Sequence, residues 1–98
     1  MIARIWRGAV AHEHREAYAR YVEETGIAAY RSTPGNLGAY LLTRDTEEHT
    51  EIVTFSLWES MDAVRAFAGD DPERAVFYPE DDRWLVERDL HVAHYDVR

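Results

Sequence analysis

The stretch "SLWESMDAVRAF", residues 56–67, changes its hydrophobic period partway along. Leu57 and Trp58 close a strand-like run. Ser60 then offers a hydroxyl suited to capping a helix N-terminus, and Met61, Val64, Phe67 and Ala68 recur at helical spacing. Gly69 follows where a helix commonly stops. A strand that feeds directly into an amphipathic helix lays that helix back over its own sheet. The functional question is whether core alone or a pocket lies between them.

Upstream, Leu37 to Arg44 and Glu51 to Trp58 read as two strands, with the polar "DTEEH" between them as a hairpin loop. Ile2 to Val10, rich in Ile, Val and Trp, reads as a first strand. From His12 to about Thr25, Tyr18, Tyr21 and Val22 form one helical stripe with Ala17 alongside, and Gly26 is the expected stop. "IAAYRSTPG" adds a short helical turn ended by Pro34-Gly35. Downstream, "DDPERAVFYPEDDRWLVERD" predicts one or two helical turns, each opened by a proline, and Leu90 to Val97 predicts the last strand. The order β-α-β-β-α-β predicts an α+β, ferredoxin-like fold: a four-stranded antiparallel sheet with both helices on one face. Residues 1–98 are expected to form a single domain.

Composition narrows the function classes. A formal charge of −8, from 11 basic and 19 acidic residues, disfavours nucleic acid and anionic lipid as partners. No window approaches the roughly 20 apolar residues of a membrane span, and no signal peptide is expected. The absence of cysteine removes disulfides, thiol nucleophiles and thiolate metal sites, and suits a cytoplasmic location. A small apolar or aromatic ligand, or another protein, is the expected partner.

The strands do not alternate cleanly. Val53, Phe55 and Leu57 point one way, while Ile52 and Trp58 point the other beside Thr54 and Ser56. Leu37, Ala39 and Leu41 oppose Tyr40 and Leu42, and Leu90 and Val92 oppose Ala93, Tyr95 and Val97. Both faces need covering, yet the chain has helix for only one. The expectation is a two-fold, sheet-to-sheet homodimer; the alternative is a monomer with one wet face.

With "MIARIWR" as first strand, "LWES" as strand-to-helix junction and "HVAHYDV" at the end, the chain resembles the antibiotic biosynthesis monooxygenase family, within the dimeric α/β-barrel superfamily. The resemblance implies a dimeric α/β barrel and a cofactor-free oxygenase of aromatic or quinol-like substrates. The superfamily also holds heme-degrading enzymes and isomerases. The heme-degrading members carry an asparagine on the first strand, a tryptophan on the helix after "WES" and a heme-ligating histidine ten residues beyond it. Here Ile5, Trp6 and Arg7 stand where the asparagine would fall, and Phe67 and Phe77 hold the other two positions. Heme degradation is therefore disfavoured, and no cofactor is expected.

Among single residues, His94 on the last strand is the candidate base if it faces the helices; otherwise it is a core or seam histidine. His91 lies on the opposite face, and His12, His14 and His49 lack ligand spacing, so no metal site is expected. Arg7 or Arg4, whichever points inward, can hold an oxyanion or carboxylate; the alternative is a surface ion pair. Tyr78 is a candidate hydrogen-bond donor in a segment that, with Trp84, can form a lid. Trp6, Phe67 and Phe77 are the expected substrate-binding walls, and Trp58 is expected to be core. The acid runs "GDD" (69–71) and "EDD" (80–82) read as solvated helix caps. The resulting expectation is a small cofactor-independent monooxygenase with His94, Arg7 and Tyr78 as catalytic residues. A non-catalytic ligand-binding or scaffold protein and a cofactor-free isomerase are the alternatives.

Overall fold

A computed structural model describes all 98 residues, Met1 to Arg98. Strands β1 (Ile2–Val10), β2 (Asn36–Asp45) and β3 (Thr50–Trp58) form the antiparallel body of the sheet, with β1 in the centre and β2 at one edge. The expected junction is present. Ser60 accepts the Ala63 N–H at 3.2 Å and starts α3 (Met61–Ala68), and Gly69, at φ 86°, ends it.

Gly26 does not stop the first helix. The chain runs from α1 (Arg15–Val22) through a π-type turn, Glu23–Ile27, into α2 (Ala28–Ser32). Glycine weakens a helix interior by about 1 kcal/mol without breaking its hydrogen bonds. Gly26 is buried, and a Cβ there would stand 3.7 Å from the ring of Tyr78. The helix ends at Thr33, held extended before Pro34 as proline demands, and Gly35 then turns at φ 91°.

The last third departs from expectation. Pro72 opens only a turn, and the helical content reduces to one short helix, α4 (Asp81–Trp84). Leu85–Arg88 is an additional strand, β4, because the edge of β1 at Gly8–Val10 is free to pair with it. The closing strand is shorter than predicted: β5 (Ala93–Asp96) pairs with Ile2–Ile5. Two short strands thus share one edge of β1. Between them the chain pairs with the preceding segment, which we call the strap (residues 69–80). Ala75 N–H donates to Leu90 O at 2.9 Å, and Val92 N–H to Glu73 O at 2.8 Å.

Register decides the faces. Ile2, Arg4, Trp6 and Gly8 lie opposite Trp58, Ser56, Thr54 and Ile52, and all turn toward the helices. Trp58 is fully buried against Tyr30 and Phe67, as expected of a core residue. The other face carries Ile5, Val53, Phe55 and Leu57, with Tyr40 and Leu42 half exposed. No helix is long and apolar enough to cross a membrane.

Candidate functional site

A cavity opens between the sheet, the α1–α2 helix and the strap. Arg4, Trp6 and Thr54 form its floor, Tyr18, Gly26 and Tyr30 its helical side, and Phe77, Tyr78 and Asp81 its roof. Its internal volume is about 30 Å³, room for about two waters. Aromatic packing closes it. Phe77 stands edge-on to Trp6 with centroids 6.2 Å apart, and Trp84 packs on Tyr18 and Tyr21. Trp6 is oriented by its own N–H, which donates to Asp89 O at 2.8 Å.

Arg4 is the most buried cation in the molecule, with 1 % of its surface exposed. Its guanidinium donates to the carbonyls of Pro72 and Arg74 on the strap. It also lies 3.0 Å from His94 Nε2. A guanidinium only donates, so Nε2 is the acceptor and His94 is a neutral ring with its proton on Nδ1. Burial, and then the Arg4 charge, hold the His94 pKa below the usual histidine value, with Glu73 pulling the other way. Burial likewise lowers the Arg4 pKa, opposed by Tyr30. Arg4 joins no ion pair, and its Nε–H is the one buried side-chain polar atom without a partner.

Asp81 corrects the reading of "EDD" as solvated. It is 5 % exposed and accepts the Tyr18 hydroxyl at 2.9 Å and the Tyr78 N–H at 2.6 Å. Burial and the Asp81 carboxylate push the Tyr18 pKa well above the tyrosine range, so Tyr18 remains a donor. Tyr78 is also raised, chiefly by burial and then by neighbouring Tyr30, and its hydroxyl makes no hydrogen bond within the protein. The acid-after-proline pattern resembles any exposed cap. Its only hint of burial was the flanking Tyr78 and Trp84.

The predicted residues divide accordingly. Trp6, Phe77 and Tyr78 line the cavity. His94 faces the helix side but stands behind Arg4, outside the lining. Phe67 packs beneath Arg4, its ring centroid 5.7 Å from the guanidinium carbon, and also borders Tyr30. Arg7 does not line this cavity. It occupies the opposite face, paired with Glu51, because odd-numbered residues of β1 turn away from the helices. Of the two arginines weighed from sequence, Arg4 is the one that points inward.

Known proteins put a class on this arrangement. The sequence profile of the antibiotic biosynthesis monooxygenase family matches residues 1–76, and the chain belongs to that family. No curated protein matches the sequence. Among solved structures, a candidate antibiotic biosynthesis monooxygenase from Nitrosomonas europaea is 16% identical, covers 99% of this chain and 98% of its own, and superimposes with a TM-score of 0.67. SnoaB from Streptomyces nogalater, described as a cofactor-independent oxygenase, is 21% identical over 99% of this chain and 92% of its own, with a TM-score of 0.59. At these identities the likeness establishes the fold. The family profile ends at residue 76, before Phe77, Tyr78, Asp81 and His94.

Proposed function

We propose that this protein is a cofactor-independent monooxygenase that takes a small aromatic or quinol-like substrate between the strap and the sheet. One observation carries the reading. A guanidinium (Arg4), a free tyrosine hydroxyl (Tyr78) and a buried carboxylate (Asp81) line the same cavity within aromatic walls. A substrate with an acidic CH₂ beside an aromatic ketone supplies its own electrons. Loss of a proton gives an enolate, which passes one electron to dioxygen. The radical pair joins as a peroxide, and loss of water leaves a carbonyl. One oxygen atom enters the product and the other leaves as water, with every electron drawn from the substrate.

In this scheme Arg4 holds the anionic oxygen and Tyr78 donates a second hydrogen bond. Asp81 is the best-placed base, since a carboxylate with two donors still has lone pairs to accept a proton. His94, expected as the base, is assigned instead to positioning Arg4. Trp6 and Phe77 flank the ring, with Phe67 behind. A substrate of this kind fills several hundred Å³, so the strap would lift on binding. We also propose a homodimer through the bare face, where Tyr40 and Leu42 stand half exposed. The cysteine-free chain fits a cytoplasmic setting.

The cavity volume of about 30 Å³ favours a second reading, a filled, non-catalytic scaffold. Oxygen uptake with a panel of anthrones and quinols separates the two. Turnover that falls about 100-fold or more in Asp81→Asn supports the enzyme. Substrate loss without oxygen uptake would indicate an isomerase. No turnover of any panel member would leave the scaffold.

A further inference from the structure

We propose that Arg4 makes this cavity an anion receptor, whose ligand binds with an ionised oxygen, as phenolate, enolate or carboxylate, against the buried guanidinium. The proposal rests on the cavity being a binding site, as argued above, but not on turnover.

A buried guanidinium is ordinarily matched by a carboxylate, because an unpaired buried charge is strongly unfavourable. This chain has 19 acidic side chains against 11 basic ones, yet none pairs with its most buried cation. Instead Arg4 meets two backbone carbonyls, one of them at 3.5 Å, a neutral histidine, the nearby Tyr30 hydroxyl and the face of the Phe67 ring. All are neutral, and the Nε–H meets nothing.

Two comparisons within the molecule sharpen the inference. Arg7, three residues along on the other face, shares Glu51 with Arg44 and is already neutralised. Asp81, the buried acid of the same cavity, is satisfied by Tyr18 and by the backbone of Tyr78, leaving Arg4 alone as the unanswered charge. A charged acceptor also outcompetes a neutral carbonyl for a guanidinium. An anion on Arg4 would therefore release Pro72 and Arg74, the strap's own ties to the floor, so that the ligand that fits the charge also opens the space it needs.

The test is calorimetric titration at neutral pH with benzoate and benzamide, which share a shape and differ in charge. The wild-type protein is expected to bind benzoate about tenfold or more tighter than benzamide, and Arg4→Met to bring the two within about twofold. Equal binding of the pair, binding of neither, or a preference that survives Arg4→Met would overturn the proposal. If Arg4→Met lacks native circular dichroism, the wild-type preference decides together with NMR. A shift of the Arg4 Nε–H resonance with benzoate and not benzamide supports the proposal, and its absence rejects it. Benzoate preference without oxygen uptake on the panel removes only the monooxygenase reading. Oxygen uptake without benzoate preference removes only this one.

Discussion

Beneath the helices, β1 and β3 present Arg4, Thr54 and Ser56 among their tryptophans, all buried. The other side of the same strands presents Ile5, Val53, Phe55 and Leu57, beside Tyr40, Leu42 and Tyr95, each at least half exposed. A free-standing sheet keeps its apolar side covered and its polar side wet; here both sides are apolar, and the covered one holds polar groups among its core residues. This departure raises a different question for each face. Polar groups held under cover are costly unless something uses them, and an apolar face left open is costly unless something closes it.

The bare face offers the largest effect. Phe55 lies near its centre, packed across the strands against Tyr40 with centroids 6.4 Å apart. In a two-fold dimer each substitution meets its own copy nearby. Phe55→Asp should weaken association by about 4 kcal/mol, roughly a thousandfold in Kd, read by sedimentation equilibrium. A wild-type protein that remains monomeric at micromolar concentration would remove the explanation offered for this face.

The covered face answers next, through its own polar pair. Tyr18→Phe deletes the hydroxyl that reaches Asp81 and leaves a buried carboxylate oxygen without that donor. Urea denaturation should show a loss of about 1–3 kcal/mol. No loss would mean that Asp81 is wetter than its 5 % exposure implies.

How much of this contrast was legible in the sequence differs along the chain. The junction at Ser60, the hairpin of β2 and β3, and the pairing of Thr54 and Ser56 with Trp58 on one side followed from cap chemistry and from period two. Which side of β1 faced inward did not. Each side holds one arginine and at least one isoleucine, and only the register of Ile2 against Trp58 separates them. Leu85–Arg88 falls in a stretch whose prolines predict one or two helical turns. What makes it a strand is the free edge of β1, a partner distant in sequence. The same distance hides Asp81, whose burial depends on Tyr18, far away on α1. Fold signals here are local, whereas the site is assembled from long-range contacts that bring Phe77, Tyr78 and Asp81 over Arg4, Trp6 and Tyr18.

A smaller effect concerns pH. The His94 pKa is lowered in the folded protein, so between that value and the ordinary one near 6.5 the unfolded chain binds more protons than the native state. Stability therefore rises with pH across that window and falls as the pH drops through it. The groups facing the ring are Arg4, which lowers its pKa, and Glu73, which raises it. Melting curves at pH 5 and pH 7 should differ less in His94→Gln than in the wild-type protein. An unchanged difference would place the proton elsewhere.

The smallest expected effect is also the sharpest contrast, because it sets two arginines of one strand against each other. Arg7 is exposed, ion-paired with Glu51, and backed by Arg44 at 3.1 Å from the same carboxylate. Exposed pairs of this kind contribute about 0–1 kcal/mol, since water screens the attraction and two long side chains are immobilised to make it. Arg7→Ala should change the unfolding free energy by less than about 1 kcal/mol and leave the benzoate preference intact. Arg4→Met, three residues earlier, should abolish that preference. If Arg7→Ala instead lowers benzoate affinity as far as Arg4→Met does, charge anywhere on β1 is enough. The distinction between a covered face that binds and a bare face that assembles would then fail.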